Sequence, residues 1–362
     1  MTHYINQDTA LPLLLACLAL VIAIVELAAY LPKVTRVSRA VKSQDDEPMP
    51  ASGYPKVSIV IYCHNDSDGL AALLPSLLSQ DYPEEFEIIV VNDGRDYLTE
   101  ALVNSHEGEA VRVYHTFTPR DTRNLSRKKL ALTLGIKAAS HDAIVHVTSS
   151  TRVVSPYWLR LMAHPLADSA TDVVIGYASV VEAGGNRSRS RDDDRLIDSV
   201  HYLSSAICGN AYRGDGDNLA YSKSLFFRMK GFNNSINLHY GDDDIFVADA
   251  STAENTAVVI AREAQVETVN NNPADDYMYS KLRHAFTAKF AGTRQHLFYG
   301  IGSMLLWCWF ALSVAAVAIA PLNPVVIGVV AVTAVALWTP FMIAWNNAAK
   351  ALGSRRFLLS VP

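Results

Sequence analysis

The chain has 362 residues, 19% of them charged, with a net charge of −5 and a mean hydropathy of +0.13. That length suits one large domain with attachments, and so low a charge content places part of the chain out of water. The acidic balance, with no sustained basic block interleaved with aromatics, excludes a general nucleic-acid binder, and the four cysteines show neither CxxC nor metal spacing, which excludes a disulfide framework.

Residues 10–31 are almost wholly apolar, broken chiefly by Pro12 and Glu26, and long enough to cross a hydrocarbon core of ~30 Å as a helix. No Lys or Arg precedes them, unlike a signal peptide. Lys33, Arg36, Arg39 and Lys42 follow, and residues 44–53, acidic with proline and small residues, read as a linker.

Val57-Ser58-Ile59-Val60-Ile61-Tyr62 is a short β-branched run of the kind buried in a parallel sheet, ending in Cys63-His64-Asn65-Asp66. Residues 70–78 have helical periodicity. Glu87-Ile88-Ile89-Val90-Val91 is a second buried strand ending in Asn92-Asp93-Gly94. Two strands that each end in Asn/Asp, with a helix between them, make a βαβ nucleotide site. A helix over 96–104 and a strand over 111–114 follow. Arg127-Lys128-Lys129 then opens a helix with cations in its first turn, which is unfavourable unless they answer an anion such as a diphosphate. The next strand, 143–147, ends in the tip Thr148-Ser149-Ser150-Thr151.

Residues 186–198, dense in Arg and Asp, read as a solvated loop. Gly241-Asp242-Asp243-Asp244-Ile245-Phe246 sets three carboxylates side by side, which packing alone would not choose. One of them facing a cleft can take a proton from an attacking hydroxyl. The plainer reading is the acidic first turn of a helix over 243–250. Residues 276–290 place Met278, Leu282, Phe286 and Phe290 on one helical face, an amphipathic helix suited to an interface. Two more apolar runs, 301–320 and 325–345, are split by Pro321-Leu322-Asn323-Pro324, a turn neither helix can cross. The basic clusters after the first span, before the second and after the third all face the cytoplasm under the positive-inside rule.

This order of segments resembles a membrane-anchored family 2 glycosyltransferase with the GT-A fold, of the bacterial branch with one span before and several after the catalytic domain. Residues 57–66 stand where that family has its strand ending in Asn-Glu, and 90–94 where it has Val-Val-Asp-Asp-Gly. Lys128 with Ala131, Leu132 and Gly135 matches its Gly-Lys-x-x-Ala-Leu-x-x-Gly segment. Gly216, residues 218–223 and Gly231-Phe232 match its acceptor-side loop, and the three aspartates match its Glu-Asp base motif.

The resemblance implies an α/β class: a Rossmann-like mixed sheet in a GT-A domain over 55–275. It is preceded by a transmembrane helix (1–32) and a cytoplasmic linker (33–54). An amphipathic interfacial helix (276–297), two transmembrane helices (298–346) and a cytoplasmic tail (347–362) follow. It further implies an inverting transferase in the bacterial inner membrane, with its catalytic domain in the cytoplasm. A nucleotide sugar would be the donor and a lipid-linked or surface glycan the acceptor, with glycan-assembly proteins as partners. Asn65, Asp66 and Asp93 would hold the nucleoside, Asp93 accepting from the base, and Lys128 would lie near the diphosphate. Asp242 or Asp243 would be the general base, with Asp244 beside them. Asn218, Lys223, Arg283 and His284 would lie on the acceptor and membrane side.

The pattern departs from the family at the strand tip, where Ser149 and Thr151 stand in place of the Asp-x-Asp that holds Mg²⁺ or Mn²⁺. Three readings follow: Arg152 or Lys128 neutralises the leaving diphosphate, Asp215 and Asp217 bring a cation from the opposite lip, or the chain is a non-catalytic scaffold that binds a nucleotide sugar. Of the family's Gln-x-x-Arg-Trp motif, Ser280-Lys281-Leu282-Arg283-His284 keeps only the arginine. The histidines show no HxxxH or HxH spacing and suggest no zinc site. The chain stops soon after the last span, where members of the family often continue with more apolar sequence, so truncation is one reading of that end.

Overall fold

A computed structural model describes residues 7–119, 125–182, 188–270, 273–290 and 293–357. The chain divides into two compact units, one of Met1–Arg39, Asp193–Ser204 and Gly292–Pro362, the other of Ala40–Asp192 and Ser205–Ala291.

In chain order the elements begin with α1 (Gln7–Ala29), α2 (Leu31–Asp46), β1 (Val57–Cys63), α3 (Ser67–Leu78), β2 (Phe86–Asn92), α4 (Tyr97–Asn104), β3 (Arg112–Phe117), α5 (Arg127–Ala138) and β4 (Ala143–Thr148). There follow β5 (Thr151–Val153), α6 (Trp158–Ala163), β6 (Val173–Ile175), β7 (Ala178–Glu182), α7 (Arg189–Ile207), β8 (Leu219–Ser222), α8 (Lys223–Arg228) and α9 (Asp244–Ala250). The chain closes with β9 (Thr256–Val258), β10 (Val266–Asn270), α10 (Pro273–Thr287), α11 (Thr293–Ile319) and α12 (Pro324–Ala351).

The second unit is built on a mixed seven-stranded sheet in the order β3-β2-β1-β4-β8-β6-β9. β3, β2, β1 and β4 run parallel, and β8 reverses direction against both β4 and β6. A smaller sheet, β5-β10-β7, lies beside it. The parallel strands are apolar on both faces because helices cover both: Ile59, Ile61, Ile88, Val90, Val145 and Val147 are wholly buried with Leu70, Leu74 and Leu77 of α3. Gly135 lets α5 lie against the sheet, since a Cβ there would sit 2.5 Å from Val60 Cγ1 and 2.8 Å from Val91 Cγ2.

Two expectations are corrected. The segment assigned to a linker is helical as far as Asp46, because Val34, Val37 and Val41 recur on one buried face. Gln44 then fixes its end, donating to Val258 O and accepting from the Ile260 and Ala261 amides. The segment expected as a charged loop is helical from Arg189, with Leu196, Val200 and Leu203 buried along it, while 186–187 lie outside the described residues. Arg191 forks onto the buried Glu182 carboxylate at 2.9 and 2.8 Å. Neighbouring charges there serve a helix with one apolar stripe.

Among the described residues, three helices are long and apolar enough to cross a membrane, spanning Ala10–Asp46, Gly300–Ile319 and Pro324–Ala351. The turn before the last is capped as its prolines predict: Asn323 Oδ1 accepts from the Val325 and Val326 amides, with Pro324 beginning the helix. Residues 276–290 are helical within α10 and a short 3₁₀ turn, with Met278, Leu282 and Phe290 exposed.

Candidate active site

The tips of β1 and β2 interlock. Asn65 takes a left-handed backbone (φ 49°), and Gly94 (φ 124°) presses against it so closely that a Cβ would lie 2.3 Å from Asn65 Oδ1. Asp66 caps α3, accepting from the Gly69 amide at 3.2 Å, and its other oxygen accepts from Ser149 Oγ at 2.7 Å. Asp93 is fully buried. Tyr62 Oη donates to it at 2.9 Å, Arg127 at 2.6 and 3.1 Å, and Thr118 Oγ1 donates as well. Burial alone would raise this carboxyl, but the donors of Thr118, Arg127 and Tyr62 outweigh it and hold it below the usual range. With its oxygens so engaged, Asp93 braces the site. The groups it leaves toward solvent are His64 and Arg127, both part-exposed.

The three cations opening α5 diverge, as successive side chains on a helix must. Arg127 reaches Asp93. Lys128 reaches Asp242 at 2.6 Å, its ammonium 5.9 Å from the Tyr62 ring. Lys129 is buried and donates to the carbonyls of Ser235 and Tyr240 at 2.7 and 2.9 Å, and burial pushes it down to about 8. Within the protein these cations meet its own carboxylates and carbonyl oxygens.

The three aspartates are buried, each with its own cation. Asp242 meets Lys128, Asp243 meets Arg283 Nη1 at 3.3 Å, and Asp244 meets Arg213 Nε at 3.5 Å while accepting from Thr287 Oγ1 at 2.7 Å. Asp243 also caps α9 through the Asp244 amide, so the plainer reading of an acidic helix start holds for this residue. Burial would raise Asp243, yet Arg283 and Lys128 hold it well below the carboxylate range. Burial and the charge on Asp243 push Asp244 up to about 6. Gly216 closes over the pair: a Cβ there would lie 3.1 Å from Asp243 Oδ2 and 3.4 Å from Lys128 Nζ.

At the β4 tip the hydroxyls are already committed. Ser149 donates to Asp66, and Thr151 Oγ1 accepts from the Thr148 amide at 3.1 Å. Neutral and engaged, they do not fit a divalent cation. Asp217 crosses to this tip, accepting from Thr148 and Thr268 at 2.5 Å each, and its amide donates to Asp215 at 3.1 Å. No group of three His, Cys, Asp or Glu side chains among the described residues is arranged to hold a metal ion.

Three further expectations are corrected. Asn218 is wholly buried and braces the core, accepting from Trp158 Nε1 and donating to the Tyr177 and Ala264 carbonyls. Lys223 donates to Ala139 O at 2.6 Å, capping the far end of α5 where β4 begins, so it lies at the wrong end of the sheet. Arg152 is two-thirds exposed and pairs with Glu267 at 3.5 Å across the smaller sheet, because alternation along β5 turns it outward from the buried Thr151. His284 accepts from Arg213; burial and the arginines lower it to about 2 and keep it neutral.

Sequence reasoning missed Tyr62, Thr118 and Arg213. Arg127, by contrast, carried a signal in its charge beside Lys128. The others are single polar residues whose partners are distant in the chain.

A family model described as glycosyl transferase family 2 matches residues 58–247. An N-acetylglucosaminyltransferase of Mesorhizobium japonicum is 30% identical over 157 residues, 42% of this chain and 35% of that protein. The poly-β-1,6-N-acetyl-D-glucosamine synthase of Staphylococcus epidermidis is 32% identical over 95 residues, 26% of this chain and 22% of that one. The chain thus spans about a third or less of the length of these relatives. A mannosyltransferase of Pyrobaculum calidifontis, solved with GDP-Man and Mn²⁺, superposes with a TM-score of 0.51 at 17% identity, over 92% of this chain and 98% of that one. At that identity the likeness is one of fold, the GT-A arrangement of a mixed α/β sheet.

Proposed function

The chain belongs to glycosyl transferase family 2, and from that premise we propose that it moves N-acetylglucosamine from a nucleoside-diphosphate donor to a glycan or lipid-linked hydroxyl at a membrane. The sugar is suggested by the relatives' activities, and the membrane by the three apolar helices. The observation that carries the reading is continuity: Asp93, Tyr62, Lys128 and Asp242 form one connected row from the β1 and β2 tips to the acid cluster.

In this reading the nucleoside end of the donor lies over the loops of Asn65, Asp66 and Asp93, with His64 and Arg127 at the surface. The acceptor hydroxyl attacks the anomeric carbon on the side opposite the diphosphate, and the configuration inverts. Asp242 takes the proton. Asp243 is the poorer base because Arg283 and Lys128 hold it far below neutrality, and Asp244 is tied to α10 through Thr287. Lys128 and Arg283, each partly exposed, are the cations next to the acid cluster that answer charge on the leaving diphosphate.

Purified full-length chain, given a panel of nucleoside-diphosphate sugars, is expected to transfer from the N-acetylglucosamine donor with a rate unchanged by EDTA. Asp242→Asn should cut that rate by about 10²–10⁴-fold. A rate abolished by EDTA overturns the metal-free reading and points to Asp215 and Asp217. The second reading, a sugar-nucleotide-binding scaffold, is favoured by the internally satisfied Ser149 and Thr151. It wins if Asp242→Asn and Asp243→Asn both leave glycan assembly in cells intact.

A further inference from the structure

Within the unit that holds the apolar helices lies a cavity of about 260 Å³, lined by none of the residues used in the proposed reaction. Its walls come from the end of α1 with the Tyr30 that follows it, and from α7, α11 and α12. Aromatic rings dominate: Trp309, Trp338, Phe341 and Trp345. Gly302 lets α11 approach Tyr30 closely, since a Cβ there would lie 2.7 Å from the Tyr30 ring. Tyr30 is fixed by its hydroxyl against His201 Nε2 at 2.7 Å.

Two polar groups on this wall lack partners. Glu26 is 2% exposed, and its Oε2 meets no donor. Trp309 Nε1 is buried and meets no acceptor. A carboxyl inside an apolar helix is costly and seldom kept without a task. An orphan acceptor and an orphan donor on one wall ask for a group that both donates and accepts. A hydroxyl does both, an ammonium only donates, and an ionised phosphate only accepts. The remaining wall is apolar and aromatic, which suits a glycerol backbone or an alkyl chain. Leu306 and Trp338, which line the cavity, are also exposed on the outside of the helices, the face that meets lipid when these helices span a membrane.

We propose that this cavity binds the head of a neutral, hydroxyl-bearing lipid entering from the bilayer, with the hydroxyl donating to Glu26 and accepting from Trp309. The inference uses the membrane helices and not the transfer chemistry. Its test is therefore run without a sugar donor, and its failure leaves the proposed reaction untouched.

The probe is dioleoylglycerol, added to delipidated full-length chain in detergent and counted by native mass spectrometry against dioleoylphosphatidylethanolamine and dioleoylphosphatidic acid. One dioleoylglycerol per chain is expected, bound at least about tenfold more tightly than either phospholipid. Glu26→Leu, which removes the acceptor, and Ala334→Trp, which fills the space, should each weaken it by about tenfold or more. Trp309→Phe keeps the ring and deletes only the donor, so it should weaken binding several-fold with the fold intact. Equal binding of a phospholipid, displacement by N-acetylglucosamine oligomers, or undiminished binding in Trp309→Phe and Ala334→Trp overturns the proposal.

Discussion

Burial and the neighbouring Asp217 carboxylate push Asp215 up to about 7, against 3.8 for the free side chain. Between those values the folded chain holds a proton that the unfolded chain has released. Stability therefore falls as pH rises through that window, and the penalty is complete above about 7. Asp215→Asn removes the titration. Thermal unfolding of the variant and the parent at pH 5 and pH 8 should show the variant gaining by a few degrees more at the higher pH. An equal gain at both would mean that Asp215 does not titrate there. At this scale the sequence named the charged residues well and their partners poorly. Lys128 and Asp242 are both legible as site residues, but not their pairing with each other at 2.6 Å. Asn218 and Lys223 fit a motif yet turn to a core bond and a helix end. A motif fixes where a residue sits in the chain, while its rotamer follows neighbours that only the fold supplies.

Elements are where local rules succeed. β-branched runs bounded by Asn and Asp became parallel strands, and the proline-flanked gap became the turn capped by Asn323. The failures were helices with polar surfaces. In α2 and α7 the buried stripe is narrow and the remaining charges look like loop. α5 meets the sheet at Gly135, whose replacement by Ala would force a Cβ to 2.5 Å of Val60. Overpacking of this kind costs about 1–3 kcal/mol, so Gly135→Ala should lower stability by that much in denaturant unfolding. A loss under 0.5 kcal/mol would show that α5 can shift at little cost. On α10, spin labels at Met278 and Leu282 should be reached by oxygen more readily than by a water-soluble nickel complex, if that exposed face lies in the interface.

Over the whole molecule, orientation is the property that charge flanks address most directly. Lys33, Arg36, Arg39 and Lys42 follow the first span, and Lys350, Arg355 and Arg356 follow the last. From the positive-inside rule we propose that the mixed-sheet unit faces the cytoplasm and the turn at Leu322 the opposite side. With Cys17, Cys208 and Cys308 replaced, Glu254→Cys should react with a membrane-impermeant thiol reagent only in inside-out vesicles. Leu322→Cys, at 91% exposed, should react only in right-side-out ones. The reverse pattern would remove the cytoplasmic donor from the proposed reaction.

Hydrophobic period and turn chemistry act between near neighbours, so the apolar spans, the alternation of strand and helix over β1 to β4 and the family resemblance could be read from residue order alone. The pairing of Arg127 with Asp93, of Arg283 with Asp243 and of Thr148 with Asp217 joins residues far apart in the chain. Those pairs, and the unpartnered Glu26 in its aromatic cavity, were decided only when the folded backbone brought the residues within a few ångströms. Electrostatic and hydrogen-bond energies act over just such short distances in space and take no account of distance along the chain.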